Sequence, residues 1–430
     1  MTGLLLSNAL LLSLLAWWLR HAWRRAAPAL RSWLLPALAW RLLFTAAAAA
    51  LPSSDAQQAS YGARGLAARL LAYPDQALAI LGQARLYDLD GRSREFYKWS
   101  QTLFFDKLVA LLSLATGGTL WVNACYLSLG CFVASWALVS ALRRALPQAP
   151  PGAAQVAFLL WPTVLWWTSG LNKEAVIVGA GAGVVALVLP VLYPASGAKR
   201  LPWGRLAGQL LAALLLAWVL VRMRYFFALP LLGGLLALAG VRVASKRGWL
   251  GPGWRAQVGG LLLGLALLAG VAKLLGGRLM EIGYFTSEVT LNYQHGLSTS
   301  GGRPHLEYAH WQPTAAGLLA RAPLAVVYTL TRPWLGEGRQ LLYVGAGLEN
   351  LLLTALVVLA LVAAGRGRPG PLPVALVAML LLYCLLLAAF IGLSTPNLGT
   401  LSRYRIVLLP WLLWLVLAAN WRTGELLRQR

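Results

Sequence analysis

The chain has 430 residues, of which 59% are hydrophobic and 12% are charged, and its formal net charge is +24. This composition excludes a soluble globular protein, because many apolar runs are long enough to cross a bilayer, at about 20 residues each. It does not indicate nucleic-acid binding, since the basic residues lie in short gaps between apolar runs and are not gathered on one soluble face. The sequence therefore predicts an all-α integral membrane protein that contacts membrane lipids and no nucleic acid.

About eleven apolar segments follow one another along the chain, and each is predicted to be a transmembrane helix. The first is expected to be retained and not cleaved as a signal peptide, because it has no small-residue cleavage site and charge follows it. Residues 1–430 are thus predicted to form a single polytopic domain. The segments cover 3–19, 33–52, 119–141, 153–168, 174–194, 206–221, 225–242, 257–275, 341–364, 372–393 and 404–420.

Basic residues predict the orientation of this domain. They concentrate in every second gap, so a single threading puts them all on one side, which is then cytoplasmic. The opposite, outer side receives two long segments, 53–118 and 276–340. Each contains a half-apolar stretch that we predict to be an interfacial helix on the outer face. The basic residues used are Arg20, Arg24, Arg25, Arg31, Arg143, Arg144, Lys199, Arg200, Arg205, Lys246, Arg247, Arg255, Arg366, Arg368, Arg422, Arg428 and Arg430.

Acidic residues gather in the first long outer segment. Asp55 comes just after the second apolar segment, and Asp88 and Asp90 form an Asp-x-Asp pair in "RLYDLDGRS". A carboxylate beside a bound phosphate can take the proton of an acceptor hydroxyl, and paired carboxylates can hold a divalent cation. Both patterns have plainer interpretations, because an acid suits a helix N-terminus and acidic doublets occur in solvated loops. The sequence leaves the metal requirement unknown, with a divalent cation as one alternative.

Arginines reach the same predicted side from other parts of the chain. Arg222 and Arg224 lie in "VRMRYFFALP", and Arg403 and Arg405 lie in "GTLSRYRIVLLPW". Arginine suits phosphate oxygens because its planar fork forms charge-assisted, often bidentate hydrogen bonds. We predict that these four residues bind the phosphate of a lipid-linked substrate. Anchoring at the level of the lipid headgroups is the structural alternative.

A lysine and a glutamate interrupt the apolar stretch "WPTVLWWTSGLNKEAVIV". Lys173 and Glu174 sit where the predicted fourth and fifth helices meet on the outer side. They are predicted to shape a site there, and snorkelling at a helical turn explains them equally well. The histidines of the second long segment, His295, His305 and His310, lack the spacing of metal ligands on one helix.

Four stretches together resemble a known family. They are Asp55 with Tyr61 behind it, "WPTVLWWTSGLNKEA", "APLAVVYTLTRPWLGEGRQLLYVGAGLEN" and "GTLSRYRIVLLPW". On these residues the chain resembles bacterial membrane glycosyltransferases of the GT-C superfamily, and more narrowly the multi-spanning proteins of surface-polysaccharide gene clusters, including Bacteroidetes-type members.

The resemblance implies a reaction at the outer face of the bacterial inner membrane. The donor would be a polyprenyl-phosphate sugar, and the acceptor a cell-surface glycan or lipid. Asp55 would be the general base or a metal ligand, with Asp88 or Asp90 as a second acid. Tyr61, Lys173 and Glu174 would bind substrate together with the arginines named above. The alternatives are an oligosaccharide repeat-unit polymerase or ligase, a lipid-linked sugar transporter or flippase, and a purely structural membrane subunit.

Overall fold

A computed structural model describes residues 2–97, 99–195, 202–277, 281–309, 311–367 and 370–419. Helices account for 79% of the structure, which confirms the all-α prediction. Within the described ranges the strands form one two-stranded antiparallel sheet, β1 (Arg85–Tyr87) paired with β2 (Ser93–Glu95). His310 lies outside these ranges, as do six of the basic residues used to predict orientation. Those six are Lys199, Arg200, Arg368, Arg422, Arg428 and Arg430.

The described chain divides into two compact units. That residues 1–430 form one polytopic domain stays a prediction. The first unit comprises Met1–Arg144, Phe158–Val191 and Ser196–Tyr225, and β1 and β2 belong to it. Its helices are α1 (Thr2–Arg25), α2 (Pro28–Ala50), α3 (Ser54–Ala72), α4 (Ala77–Gly82), α5 (Gln101–Thr116), α6 (Leu120–Ala145), α8 (Pro162–Thr168), α9 (Lys173–Leu192) and the first part of α10 (Trp203–Lys246).

The second unit comprises Ala145–Ala157, Leu192–Ala195 and Phe226–Arg430. In this unit α13 packs closely on α15. A Cβ atom at Gly392 of α15 would lie only 2.5 Å from the backbone oxygen of Ala325 on α13. Thr329 also donates a hydrogen bond of 2.8 Å to the carbonyl oxygen of Ala388. Its helices are α7 (Ala153–Gln155), the rest of α10, α11 (Trp254–Leu275), α12 (Ile282–Ser300), α13 (Ala315–Thr331), α14 (Leu341–Gly365), α15 (Val374–Ser394), α16 (Leu398–Tyr404) and α17 (Leu409–Ala419).

Eight helices within the described residues are long and apolar enough to span a membrane. A ninth span results if Leu398–Val407 and Leu409–Ala419, which meet at 64°, are counted together. The chain is therefore a multi-pass membrane protein, whereas the predicted count of about eleven spans is not confirmed. The eight are Leu4–Arg25, Pro28–Ala50, Leu120–Ala145, Lys173–Leu192, Trp203–Lys246, Trp254–Leu275, Leu341–Gly365 and Val374–Ser394.

Four of the predicted segments account for the difference. Segments 206–221 and 225–242 both lie in α10, which consists of two helical parts joined by a kink at Arg224, where the backbone leaves the helical region (φ −159°, ψ 92°). Segment 153–168 is broken into short pieces, with α8 starting at Pro162, whose ring cannot continue a preceding helix. Segment 404–420 falls in the bent pair.

Both stretches that were predicted to be interfacial are helical. They are α5 and α13, and neither is among the eight spans. Ser100 caps the N-terminus of α5 by accepting a hydrogen bond of 3.3 Å from the backbone of Leu103, and Thr314 caps α13 in the same way. These caps satisfy amide groups that a helix N-terminus leaves without partners. The sequence thus marked both helices correctly, and their position at an interface stays a prediction.

Candidate functional site

The first polar element after span α2 is the amphipathic helix α3. Ser53 caps it, its hydroxyl accepting a hydrogen bond of 3.2 Å from the backbone of Ala56. Asp55 follows in the first turn and is exposed. A carboxylate there is stabilised by the positive end of the helix dipole, so the structure places Asp55 where the capping interpretation expected an acid. Asp55 does not line the cavity described below.

The "DLDGR" motif forms the turn of the β1–β2 hairpin. The backbone N–H of Asp88 donates to Arg92 O (2.9 Å), and that of Gly91 donates to Asp88 O (3.0 Å). The Tyr61 hydroxyl on α3 donates a hydrogen bond to the carboxylate of Asp90, and this bond raises the pKa of Tyr61. Two of the predicted acids are therefore held next to α3, together with the predicted tyrosine.

A glycine lets the hairpin approach α3. A Cβ atom at Gly65 would lie 2.3 Å from the backbone oxygen of Tyr87 and 2.8 Å from the carbonyl carbon of Asp88. Neither backbone atom can give way as a flexible side chain would, so a larger residue here would push the hairpin away from the helix. The close approach places Asp88 beside the face of α3 that carries Tyr61.

A cavity of about 370 Å³ lies between α3, the hairpin and α5. This volume is within the range of small-ligand pockets. Of the residues predicted as functional, Tyr61 and Asp88 line it. The full lining is Gln57, Gln58, Tyr61, Gly62, Arg64, Leu86, Asp88, Arg94, Phe96 and Asp106.

Asp106 of α5 is the buried acid of this cavity. Asp106 is 5% exposed, and its Oδ1 atom has no hydrogen-bond partner in the described part of the chain. Burial raises the pKa of Asp106 from 3.8 to about 7, while the positive charges of Lys173 and Arg94 oppose the shift and the negative charge of Asp88 adds to it. A carboxylate with this pKa can accept a proton near neutral pH.

The predicted residues Lys173 and Glu174 lie at the start of α9 and meet the start of α5. Lys173 Nζ donates to Thr102 Oγ1 at 2.7 Å. Arg224 donates from Nε to Gln101 Oε1 at 3.0 Å, and its Nη2 atom lies 3.9 Å from Glu174 Oε1. Three of the predicted site residues, distant in sequence, thus gather at the first turn of the helix that carries Asp106.

Arg222 is engaged by aromatic rings. Its guanidinium carbon lies 4.5 Å from the ring centre of Trp99 and 5.1 Å from that of Phe104. Cation–π contacts of this kind are favourable, and they hold the arginine against the segment that leads into α5. Arg222 does not line the cavity.

The last two predicted arginines belong to the second unit. Arg403 lies in the last turn of α16. Arg405 is 1% exposed and donates to the carbonyl oxygen of Arg332, the C-cap of α13, at 3.1 Å. A cation at a helix C-terminus satisfies carbonyl groups that the helix itself leaves free. Arg405 therefore has a structural function in its own unit.

Three residues with functional potential were not chosen as candidate site residues from the sequence. Asp106 appears in "FFDK", where an acid on the apolar side of an amphipathic helix was the available signal. Arg64 and Arg94 lie in the same long outer segment and were passed over because single arginines there had no pattern to mark them. A fourth omission, Arg41, lies inside span α2 and is discussed below.

Among the described residues, no three His, Cys, Asp or Glu side chains are close enough together to hold a metal ion. The Asp-x-Asp pair is instead divided, with Asp88 on the cavity wall and Asp90 bound to Tyr61. These residues do not fit the divalent cation that the resemblance left open, and we derive no step through a metal.

The fold defines a multi-pass α-helical membrane protein with a polar cavity in its first unit. In comparisons with known proteins, no family model matches the chain, no curated protein matches its sequence and no solved structure matches its fold. The function is therefore inferred below from the chemistry of the site.

Proposed function

We propose that the protein transfers a sugar from a polyprenyl-phosphate donor to a hydroxyl group of a surface glycan or lipid acceptor. One observation carries this proposal. A buried carboxylate, Asp106, with an unpartnered oxygen and a pKa of about 7, shares a cavity with two arginines, Arg64 and Arg94. A base and a phosphate-binding group in one cavity are what this transfer requires.

Arg64 and Arg94 are the arginines best placed to bind the donor phosphate. Both line the cavity and both are exposed. In the described part of the chain neither guanidinium takes part in a recorded hydrogen bond or ion pair, so their N–H groups are open to phosphate oxygens. The arginines predicted from sequence have other partners, namely Gln101 and Glu174 for Arg224 and aromatic rings for Arg222.

The chemistry follows from these positions. The acceptor hydroxyl gives its proton to Asp106 while the hydroxyl oxygen forms a bond to the anomeric carbon of the sugar. The bond from that carbon to the phosphate oxygen breaks, and the electron pair leaves with polyprenyl phosphate. Arg64 and Arg94 stabilise the negative charge that the phosphate gains, an effect that is strong where water is partly excluded.

A lipid-linked donor suits the place of the cavity in the chain. Its elements, α3, the hairpin and α5, lie between the end of span α2 at Ala50 and the start of span α6 at Leu120. The site is thus bounded in sequence by two membrane helices, at an edge where a polyprenyl chain could remain in lipid. The distribution of basic residues supports the outer face of a bacterial inner membrane.

The nearest rival is a polymerase that transfers a whole oligosaccharide from a pyrophosphate lipid. The test is turnover by the purified full chain in lipid, with a polyprenyl-phosphate sugar and a polyprenyl-pyrophosphate oligosaccharide offered separately. We expect transfer from the first donor, because the cavity has the volume of a small-ligand pocket. Turnover of the oligosaccharide donor alone would favour the polymerase.

The rate of transfer should depend on pH through Asp106. Because a general base acts when deprotonated, the rate at saturating donor should rise as the pH increases through about 7 and level off above it. Stability should change in the opposite direction. The folded state retains a proton that the unfolded state loses between 3.8 and about 7, so the fold loses stability as the pH rises through this window. A rate that is flat across neutral pH would argue against Asp106 as the base.

A further inference from the structure

Arg41 is a charged residue buried inside a membrane-spanning helix. It is 3% exposed and lies well within α2. A charge at such a position is costly to insert into a membrane and usually marks a functional site. Here no carboxylate lies within ion-pair distance among the described residues, since the recorded ion pairs do not include Arg41.

Neutral groups from two other helices satisfy the guanidinium. Nε donates to Ser128 Oγ on α6 at 2.8 Å. Nη1 donates to Thr168 Oγ1 at 2.6 Å, and Nη2 donates to Thr168 O at 2.7 Å. Thr45, one turn further along α2, lies 2.6 Å from Ser128 Oγ through its own hydroxyl. Two of the three bonds from the arginine therefore hold the last residue of α8.

The segment that begins at Thr168 leads directly to Lys173. Gly170 has a left-handed backbone (φ +81°), and a Cβ atom there would lie 3.2 Å from Ala48 Cβ, so the segment passes close to α2 a second time. Asn172 Nδ2 then donates to Ser169 O at 2.9 Å. Arg41 holds Thr168 at the start of this connection, and Gly170 lies against α2. Asn172 is bonded back to Ser169, so the path of the connection to the start of α9 is well defined.

We propose that Arg41 is a positioning residue, which holds the end of α8 so that Lys173 reaches the start of α5 next to Asp106. Two hydrogen bonds from one planar guanidinium fix both the position and the direction of Thr168, which a single apolar contact cannot do. Lys173 then donates to Thr102 on α5, the helix that carries Asp106. The consequence for catalysis rests on the proposed function, whereas the effect on the position of Lys173 does not.

The test follows the protonation of Asp106, because the charge of Lys173 acts on it directly. Purified full-length protein is treated with dicyclohexylcarbodiimide, which modifies protonated carboxyl groups, over a range of pH, and labelling of Asp106 is measured by mass spectrometry. No sugar transfer is needed, so failure of the proposed function leaves this result interpretable. The other charged or titratable groups around the acid are Tyr61, Arg64, Asp88 and Arg94.

Four variants make the test specific. Lys173→Met and Arg41→Met should each move the labelling midpoint of Asp106 upward, on the order of one pH unit for the loss of a nearby positive charge. The double variant should move it no further than Lys173→Met alone, because both changes act through the same lysine. Arg20→Met, on the exposed side of α1, is the matched control and should leave the midpoint unchanged.

Two results would overturn the proposal. One is a midpoint in Arg41→Met equal to that of wild type, which would leave Arg41 with a packing function only. The other is a midpoint unchanged in Lys173→Met. If Arg41→Met does not fold, Thr168→Val replaces it, since this change removes one acceptor and keeps the charge. A midpoint unchanged in folded Thr168→Val would then count against the proposal.

Discussion

The Asp106→Asn variant is expected to transfer sugar at least about 100-fold more slowly than wild type at a pH above the pKa of Asp106, because loss of a general base typically costs 10²–10⁴ in rate. Asparagine has nearly the same shape as aspartate and carries no charge, so the buried position should tolerate it. Binding of the donor should change little, since Arg64 and Arg94, and not Asp106, are the residues proposed to bind its phosphate. The measurement is initial rate and donor affinity for both proteins in the same lipid.

Two further variants control this result. Asp75→Asn changes an exposed acid in the short turn before α4 and should keep the wild-type rate. Asp55→Asn distinguishes the proposed base from the one predicted by sequence, because Asp55 lies on the same helix as Tyr61 but does not line the cavity. Loss of transfer in Asp55→Asn, with full transfer in Asp106→Asn, would return the catalytic function to Asp55.

The Arg224→Met variant is expected to lose about 3 to 5 kcal/mol of stability, which is the typical cost of removing one partner of a buried ion pair. The side chains of Arg224 and Glu174 are 3% and 1% exposed, so methionine would leave a carboxylate in a dry environment. The bond to Gln101 would be lost as well. The measurement is the free energy of unfolding in detergent, followed by the loss of helical signal.

A double variant and a surface variant show whether burial of the ion pair causes the loss of stability in Arg224→Met. Arg224→Met combined with Glu174→Gln should recover much of the lost stability, because the buried carboxylate is then removed together with the arginine that faces it. Arg85→Gln breaks the pair with Glu95, in which the side chains are 45% and 72% exposed, and should cost less than about 1 kcal/mol. Equal losses in Arg224→Met and Arg85→Gln would contradict this interpretation.

Much of the fold could be predicted from the chain, because in lipid a backbone must satisfy its own hydrogen bonds within helices. Long apolar runs therefore identify spans such as α14 and α15 directly. The predicted count of about eleven spans is not confirmed at places where one run of residues has two interpretations. Residues Arg222–Arg224 were predicted to separate two spans, and in the structure they lie at the kink between the two helical parts of α10.

The site was harder to predict, because it depends on how distant elements pack. Sequence identified Lys173, Glu174 and Arg224 as polar residues in unusual places, and the structure brings them together at α5. It could not show that the hairpin and α3 close a cavity on Asp106, since this depends on the approach at Gly65.

Arg41 was not identified from the sequence for a different reason. Charge in the middle of a span is a feature that a transporter would require, and Arg41 within "AWRLLF" was not noticed in the sequence. Its recorded hydrogen bonds go to groups of the protein itself, on α6 and α8. This pattern is typical of a residue that joins helices, so it gives no specific support to transport.

The most direct test of the proposed site is to locate the donor phosphate on the protein. A polyprenyl phosphate with a photoreactive group next to its phosphate would be cross-linked to the full chain in lipid, and the modified peptides identified by mass spectrometry. The proposed mechanism predicts cross-links in 57–64 and 86–96, which are lost when Arg64 and Arg94 are both replaced by glutamine. Cross-links confined to other parts of the chain, and unchanged in that variant, would contradict it.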